Sequence, residues 1–182
     1  MTMEMECPRC WGRTKDCSKC HGLGKVPDRL LSPHFKLSEM VLTNTGKQKG
    51  LANDPTPEIE AALEALCVEV LEPIRALVGP LKVNSGYRSA AVNLAIGGSK
   101  TSAHCHGHAA DIVPLKVSRK VLCDKVIAAC IKLDQIICEP TWVHIGHVYP
   151  VSKKQRGERL SMFRVGGSTK YEPYNSADPR IA

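Results

Sequence analysis

Three imidazoles and a carboxylate fall within ten residues, Ser102-Ala103-His104-Cys105-His106-Gly107-His108-Ala109-Ala110-Asp111, and a further histidine closes the stretch Glu139-Pro140-Thr141-Trp142-Val143-His144. A lone histidine is ordinarily a satisfied packing residue. Imidazoles grouped with a carboxylate instead offer the nitrogen and oxygen donors that zinc prefers. A second set of ligands stands near the start of the chain, where Cys7-Pro8-Arg9-Cys10 and Cys17-Ser18-Lys19-Cys20 are separated by six residues. Each CxxC pair bends around a metal through its own tight turn, so Cys7, Cys10, Cys17 and Cys20 can converge on one tetrahedral zinc. Four sulfur ligands leave no position for water, which makes such a site structural. Two redox dithiols are the alternative use, but a segment this small has no core and needs a metal to fold. Cys67, Cys123, Cys130 and Cys138 sit in apolar patterns and read as buried small hydrophobes. Cys105, inside the histidine cluster, can also be read as a nucleophile, although no neighbouring motif supplies the rest of a cysteine-protease site.

The chain that must position these groups has 182 residues, 43% of them hydrophobic, which suffices for one compact domain plus a small appendage. Aromatic residues make up only 4%, so the core has to be built from Leu, Val, Ile, Ala and Cys. A net charge of +7 suits a polyanionic partner such as a nucleic acid, an anionic membrane surface or an acidic wall polymer. No helix-length basic stripe with interleaved aromatics accompanies it, which disfavours nucleic acid. Met1 to Cys7 holds acidic residues and no apolar stretch, so no signal peptide is expected, and no apolar run is long enough to span a bilayer. The expectation is synthesis in a reducing cytosol, with export left to another factor.

Residues 1–25 read as the four-cysteine knuckle, 26–32 as a linker, 33–166 as the main domain and 167–182 as a disordered tail. Thr56 is placed to cap a helix with Pro57 in its first turn, and Ile59, Leu63, Leu66, Val70 and Leu71 follow at helical spacing. Pro73 should end or kink that helix, with continuation through Val78 before Gly79-Pro80. Leu81 to Asn84 reads as a strand leading into the turn Ser85-Gly86-Tyr87-Arg88, and Ala90 to Ile96 as a short helix. Ala109 to Val113 is strand-like, Ser118 caps a second helix, and Asp134 to Glu139, Trp142 to Val148 and Leu160 to Val165 read as further strands.

The pattern SxHxxGxAxD ending at Asp111, the later Trp142-Val143-His144, and the upstream Ser85-Gly86-Tyr87-Arg88-Ser89 together resemble the zinc D-Ala-D-Ala carboxypeptidase family, in particular the small cell-wall peptidase branch that includes phage endolysins. The resemblance spans residues 33 to about 149. It implies an α+β fold of the Hedgehog/DD-peptidase type, a small antiparallel sheet with flanking helices, preceded here by the knuckle. The knuckle is itself similar, through Gly12, Gly22 and Gly24, to the CxxCxGxG repeats of DnaJ-type regions, with fewer pairs and a shorter spacer. Within the histidine cluster the resemblance selects His104 and Asp111 as zinc ligands with His144 as the third, leaves His106 and His108 as variable positions, and implies an open fourth position for water. It makes Arg88 the arginine that faces substrate and holds negative charge, and gives Ser102 a part in binding substrate or orienting the loop. Many relatives place an acid three residues before the last ligand, where this chain has Thr141. Glu139 is the nearest carboxylate and the expected general base, with Asp134 or His147 as substitutes.

The implied function is a zinc metallopeptidase that hydrolyses peptide bonds of bacterial peptidoglycan, as a carboxypeptidase or endopeptidase and in the manner of a phage lysis enzyme. It would use one catalytic and one structural zinc. A non-catalytic phage structural or assembly protein that keeps the metal fold and docks a partner through the knuckle is the alternative. A nucleic-acid-binding protein is a third reading. The sequence leaves open which peptidoglycan bond is cut.

Overall fold

The computed structural model describes residues 3–150 and 153–181. Its centre is a six-stranded sheet built from β5 (Leu81–Ser85), β6 (Ala109–Pro114), β7 (Gln135–Cys138), β8 (Val143–Gly146), β9 (Glu158–Val165) and β10 (Ser168–Pro173). The order across the sheet is β10-β9-β7-β8-β6-β5. Neighbours are antiparallel except β7 and β9, which run parallel. The α+β architecture expected from sequence is therefore present, with one parallel pair where an antiparallel sheet was expected.

Outside the sheet lie β1 (Glu4–Glu6) paired with β2 (Lys25–Pro27), and β3 (Leu30–Ser32) paired with β4 (Phe35–Lys36). The helices are α1 (Leu37–Val41), α2 (Asn44–Lys49), α3 (Pro57–Leu66), α4 (Glu72–Val78), α5 (Ala90–Ala95) and α6 (Arg119–Ala128).

The long helical stretch forms for local reasons that are visible in its residues. The Thr56 hydroxyl accepts the Ile59 N–H at 3.4 Å, and Pro57 occupies the first turn, where its missing N–H costs nothing. Leu63, Leu66, Cys67, Val70, Leu71 and Ile74 then face inward with no exposed surface. Burying a leucine of this kind contributes roughly 1.5–3 kcal/mol. Pro73 cannot donate to the Glu69 carbonyl and its ring would strike it. The helix absorbs this in a π-helical turn over Cys67–Leu71, where the Glu72 N–H reaches the Cys67 carbonyl, and then continues as α4. Ser89 and Ser118 cap α5 and α6 by accepting the Val92 and Val121 N–H groups.

These helices share a core with the buried residues of the sheet, Ala110, Ile112, Ile136, Cys138, Val143 and Ile145. In β6 the alternation matters: Ala110 and Ile112 are core residues, so Asp111 between them points to the opposite face. In β8 the same period sends Val143 and Ile145 inward and His144 to the face that carries Asp111.

Four expectations need correction. Residues 26–32 are not a free linker, because Val26 and Leu31 are buried in two short strand pairs. Within the expected tail, Ser168–Pro173 forms β10 and a short turn over Pro179–Ile181 buries Ile181, so residues 168–181 are ordered, while residue 182 lies outside the described residues. Tyr174 fastens it by donating its hydroxyl to Asp124 at 2.8 Å, and Arg180 lies over the Phe163 ring. Cys130 is exposed, at a positive φ just after α6, and not a core residue. The knuckle also departs from a separate appendage, since Met5, Val26 and its four cysteines belong to the same core as Leu63 and Ile112.

Gly107 tests the turn that delivers His104. Its φ is +70°, and a Cβ there would lie 2.8 Å from the Ile59 carbonyl oxygen of α3. Gly107→Ala should therefore lose about 1–3 kcal/mol in urea unfolding through left-handed strain and overpacking together; an unchanged midpoint would show that the turn is not held against α3.

Candidate metal centre

Three elements bring the ligand set together. Asp111 of β6 and His144 of β8 are direct partners across the antiparallel ladder, so a one-residue slip would send one of them into the core. His104 comes from a 3-10 turn, Ala103–His106, closed by Gly107 in the left-handed region. The ligand atoms are mutually close. Asp111 Oδ1 is 2.9 Å from His144 Nδ1 and 3.2 Å from His104 Nε2, and the two ring nitrogens are 3.3 Å apart.

Donors at zinc bond lengths around a tetrahedral ion stand about 3.3 Å apart. The set therefore fits zinc in spacing and in chemistry. His104 also has its tautomer assigned by its surroundings: Nδ1–H donates to the Gly86 carbonyl at 2.6 Å, which leaves the Nε2 lone pair facing Asp111 and His144. Burial favours the neutral imidazole at His104 and holds its pKa below the ordinary value, although Asp111 pulls the other way. Burial alone would raise the Asp111 carboxyl, but the His104 and His144 rings beside it hold it well below the usual carboxylate range. A cation shared by all three groups is the arrangement their charges and lone pairs call for.

Arg88 lies directly behind this cluster, its Nη2 3.3 Å from Asp111 Oδ2 and its side chain 15% exposed. Its backbone N–H donates to the His104 carbonyl at 3.1 Å, which ties the arginine to the ligand turn. The Nε–H of Arg88 is buried with no acceptor among the described residues. An unpaired buried donor of this kind is costly in a packed protein and is what an oxygen of a bound ligand would satisfy.

Glu139 follows β7 at the start of the turn Pro140-Thr141. The turn is closed by the Glu139 N–H donating to the Trp142 carbonyl at 3.0 Å, and the Arg119 guanidinium holds the Glu139 carbonyl from the other side. Burial raises the Glu139 carboxyl above its ordinary value, and the Asp111 charge raises it further. His144, the Trp142 side chain and Arg88 oppose the rise. These four perturbing groups are those of the metal cluster and its rim, so Glu139 is in electrostatic reach of the centre.

The proposed substitutes sit elsewhere. Asp134 is engaged by Arg156, with both Nε and Nη2 donating to Oδ2 at 2.9 and 2.7 Å. His147 faces Glu69, 3.2 Å away, in a different cavity of about 720 Å³ that contains none of the metal-cluster residues. His106 is exposed and His108 half-buried, their rings 5.9 Å apart. Ser102 gives its carbonyl to the Cys105 N–H at 3.0 Å and so holds the ligand turn, but it does not line the cleft described next. The Cys105 thiol is pushed up by burial, against the offsetting charge of Arg88, which disfavours a thiolate nucleophile.

A cleft of about 640 Å³ opens onto Arg88, Asp111 and Trp142 and runs toward Tyr87, Lys47 and Trp11. Three contributors to the site were not singled out in the sequence. The Gly86 carbonyl orients His104, Asn53 braces the Arg88 segment, and Tyr171 of β10 is near enough to feel the charges of Glu139 and Asp111, although burial is the larger cause of its raised pKa. Tyr171 lies in the stretch expected to be disordered, and Asn53 lies in a loop whose local pattern carries no chemistry.

A family model described as Peptidase M15 matches residues 33–146, more than half of the chain. The chain belongs to the peptidase M15 family. The M15 family comprises zinc peptidases of the D-Ala-D-Ala carboxypeptidase kind, so membership carries zinc peptidase chemistry toward peptidoglycan at family level. No curated protein matches the chain. The matched region includes the His104, Asp111 and His144 cluster and begins after the four cysteines. Those cysteines form a second group able to hold a metal ion. Cys7 and Cys17 sulfurs are 3.8 Å apart and those of Cys10 and Cys20 3.5 Å, close to the spacing of about 3.8 Å around a tetrahedral zinc. Backbone N–H groups at Cys20 and Lys19 lower the Cys17 thiol despite its desolvation, whereas burial raises those of Cys7 and Cys10, so the four share their charge unevenly until a cation is present. No helix among the described residues of this M15 chain is long and apolar enough to cross a membrane.

Two measurements check the centre. Metal analysis should find two zinc ions per chain, falling to one in His144→Ala and in Asp111→Asn; a full complement in either variant would remove that residue from the ligand set. In metal-free protein, NMR titration should place the Glu139 carboxyl above free glutamate and show it falling when zinc is added, because the cation favours the ionised form. An ordinary value unmoved by zinc would separate Glu139 from the centre.

Proposed function

We propose that this chain hydrolyses amide bonds of bacterial cell-wall peptides, in the manner of a phage lysis enzyme, with zinc held by His104, Asp111 and His144. When bound there, zinc supplies a Lewis acid that polarises the scissile carbonyl and eases ionisation of water. The side chains supply the rest. Glu139 accepts the proton of the attacking water and returns it to the departing amine, a role suited to a carboxyl held above its ordinary value. Arg88 stands where its free Nε–H can meet negative charge developing on the carbonyl oxygen, or a terminal carboxylate of the substrate. Its contact with Asp111 keeps the guanidinium turned to the cluster. The four-cysteine group holds a second, structural zinc, since four sulfurs leave no position for water.

The observation that carries this reading is the three-ligand cluster of His104, Asp111 and His144 with Arg88 set against Asp111 on the cleft that opens there, while Glu139 lines the cavity of about 300 Å³ that also holds Arg119 and Pro140. A purely structural metal site requires neither a raised carboxylate beside it nor an arginine donor left without an acceptor. The net charge of +7 suits approach to an anionic wall.

Glu139→Gln should retain both zinc ions and lose about 10²-fold or more in kcat, measured as release of new amines from purified cell walls. Arg88→Ala should lose a similar factor, with Arg88→Lys restoring only part, because lysine keeps the charge without the fork. Full activity in Glu139→Gln would exclude it as the base. Absence of amine release by the zinc-loaded wild type, on walls of any cross-link chemistry, would favour a binding or assembly role.

A further inference from the structure

The family match begins at residue 33, yet the cleft that reaches Arg88 and Asp111 has Glu6 and Trp11 in its wall, both contributed by the knuckle. The knuckle is fastened there by specific bonds. The Pro8 carbonyl accepts the Asn53 N–H at 2.7 Å, while Arg9, at 2.7 Å, and Lys19 both pair with Asp54. Each CxxC loop thus grips the same two-residue segment. Asn53 is fully buried and extends the grip inward. Its side-chain amide donates to the Val41 and Tyr87 carbonyls at 2.7 and 3.0 Å and its oxygen accepts the Ser89 N–H at 2.6 Å. Tyr87 and Ser89 flank Arg88, so knuckle and arginine are braced by one side chain.

Trp11 completes the docking. Its backbone lies in the left-handed region at φ 52°, and its indole N–H donates to the Leu51 carbonyl at 2.9 Å. The ring sits so close to α2 that a Cβ on Gly46 would come within 2.9 Å of it. This close seat sets Glu6 beside Lys47 of α2, with Oε1 and Nζ 2.7 Å apart and the two side chains 44% and 53% exposed.

We propose that the knuckle is the outer wall of the substrate cleft, and that Glu6 and Lys47 form a subsite for a peptide residue that carries its own free ammonium and carboxylate. This rests on the peptidase reading. A pair this exposed is weakly held, so it separates readily. Each arm can then meet the opposite charge on the ligand, giving two charge-assisted bonds in place of one. A residue with one charge, or none, leaves an arm unmatched, which is how paired opposite charges select. A diamino dicarboxylic residue of a cell-wall peptide, with one end not cross-linked, has this chemistry.

The test uses the full-length, zinc-loaded protein carrying Glu139→Gln, so that peptide is bound and not consumed. Calorimetry compares a short peptide bearing a free diamino dicarboxylic residue with the same peptide acetylated on that amine and amidated on that carboxyl. Binding of the free form should be roughly five- to tenfold tighter, and Glu6→Lys or Lys47→Glu should each abolish that preference with zinc content and unfolding temperature unchanged. In the otherwise wild-type enzyme the same two substitutions should raise KM for the free peptide by a similar factor with kcat retained. Equal binding of the two peptides, or a preference that survives both substitutions, would overturn the subsite. A wild-type enzyme that releases no amine from any wall would overturn the peptidase reading itself, and the binding comparison would still report on the subsite.

Discussion

Asp111, His104 and His144 present three electron-rich atoms to one another within 2.9–3.3 Å inside a packed protein, and the rest of the structure is arranged to hold them there. Burial removes the water that would otherwise screen these groups, so their charges and lone pairs must be met by one another and by a shared cation. The register of β6 against β8 supplies two of the three atoms, and that register is set by the apolar alternation on the other face of the sheet. Ala110, Ile112, Val143 and Ile145 are fully buried, so shifting either strand by one residue would drive Asp111 or His144 into the apolar core and pull core residues out of it. Packing energy spread over the core thus holds a local arrangement that would not assemble alone.

The third ligand depends on contacts at longer range. His104 reaches the cluster from a short turn held by Gly107 against α3 and by the Gly86 carbonyl at the end of β5. The peptide that follows Gly86 leads to Arg88, which bonds back to the His104 carbonyl. Ligand, tautomer-setting carbonyl and arginine are therefore bonded into one unit. Asn53 braces that unit from behind and couples it to the four-cysteine segment, whose own fold has little apolar surface beyond Met5, Val26 and Trp11.

Legibility in the sequence followed the range of the interactions. The helix from Thr56, the π turn before Pro73 and the caps at Ser89 and Ser118 rest on residues within a few positions of one another, and the pattern showed all of them except the Ser89 cap and the form taken by the kink. The tail was misread because β10 is mostly exposed and polar, and its order comes from pairing with β9 and from Tyr174 and Ile181 reaching the core. The linker was misread for a similar reason, since two three-residue strands leave no periodic signal. Asn53 was invisible, because its work lies in bonds to residues 41, 87 and 89, which the chain order does not bring together.

The sequence by itself determined the chemistry available: two CxxC pairs at zinc spacing, a histidine and aspartate constellation, an arginine after Ser-Gly-Tyr, and a carboxylate near the last histidine. Residue type and short spacing carry that information because ligand sets and caps are local. Only the tertiary structure separated the candidate carboxylates, committing Asp134 to Arg156 and raising the Glu139 carboxyl through burial and the charge of Asp111. It also decided that the knuckle is seated on the cleft, because that depends on Trp11 meeting Gly46 and Pro8 meeting Asn53 across more than thirty residues of chain, a closure set by packing and not by any pattern along the sequence.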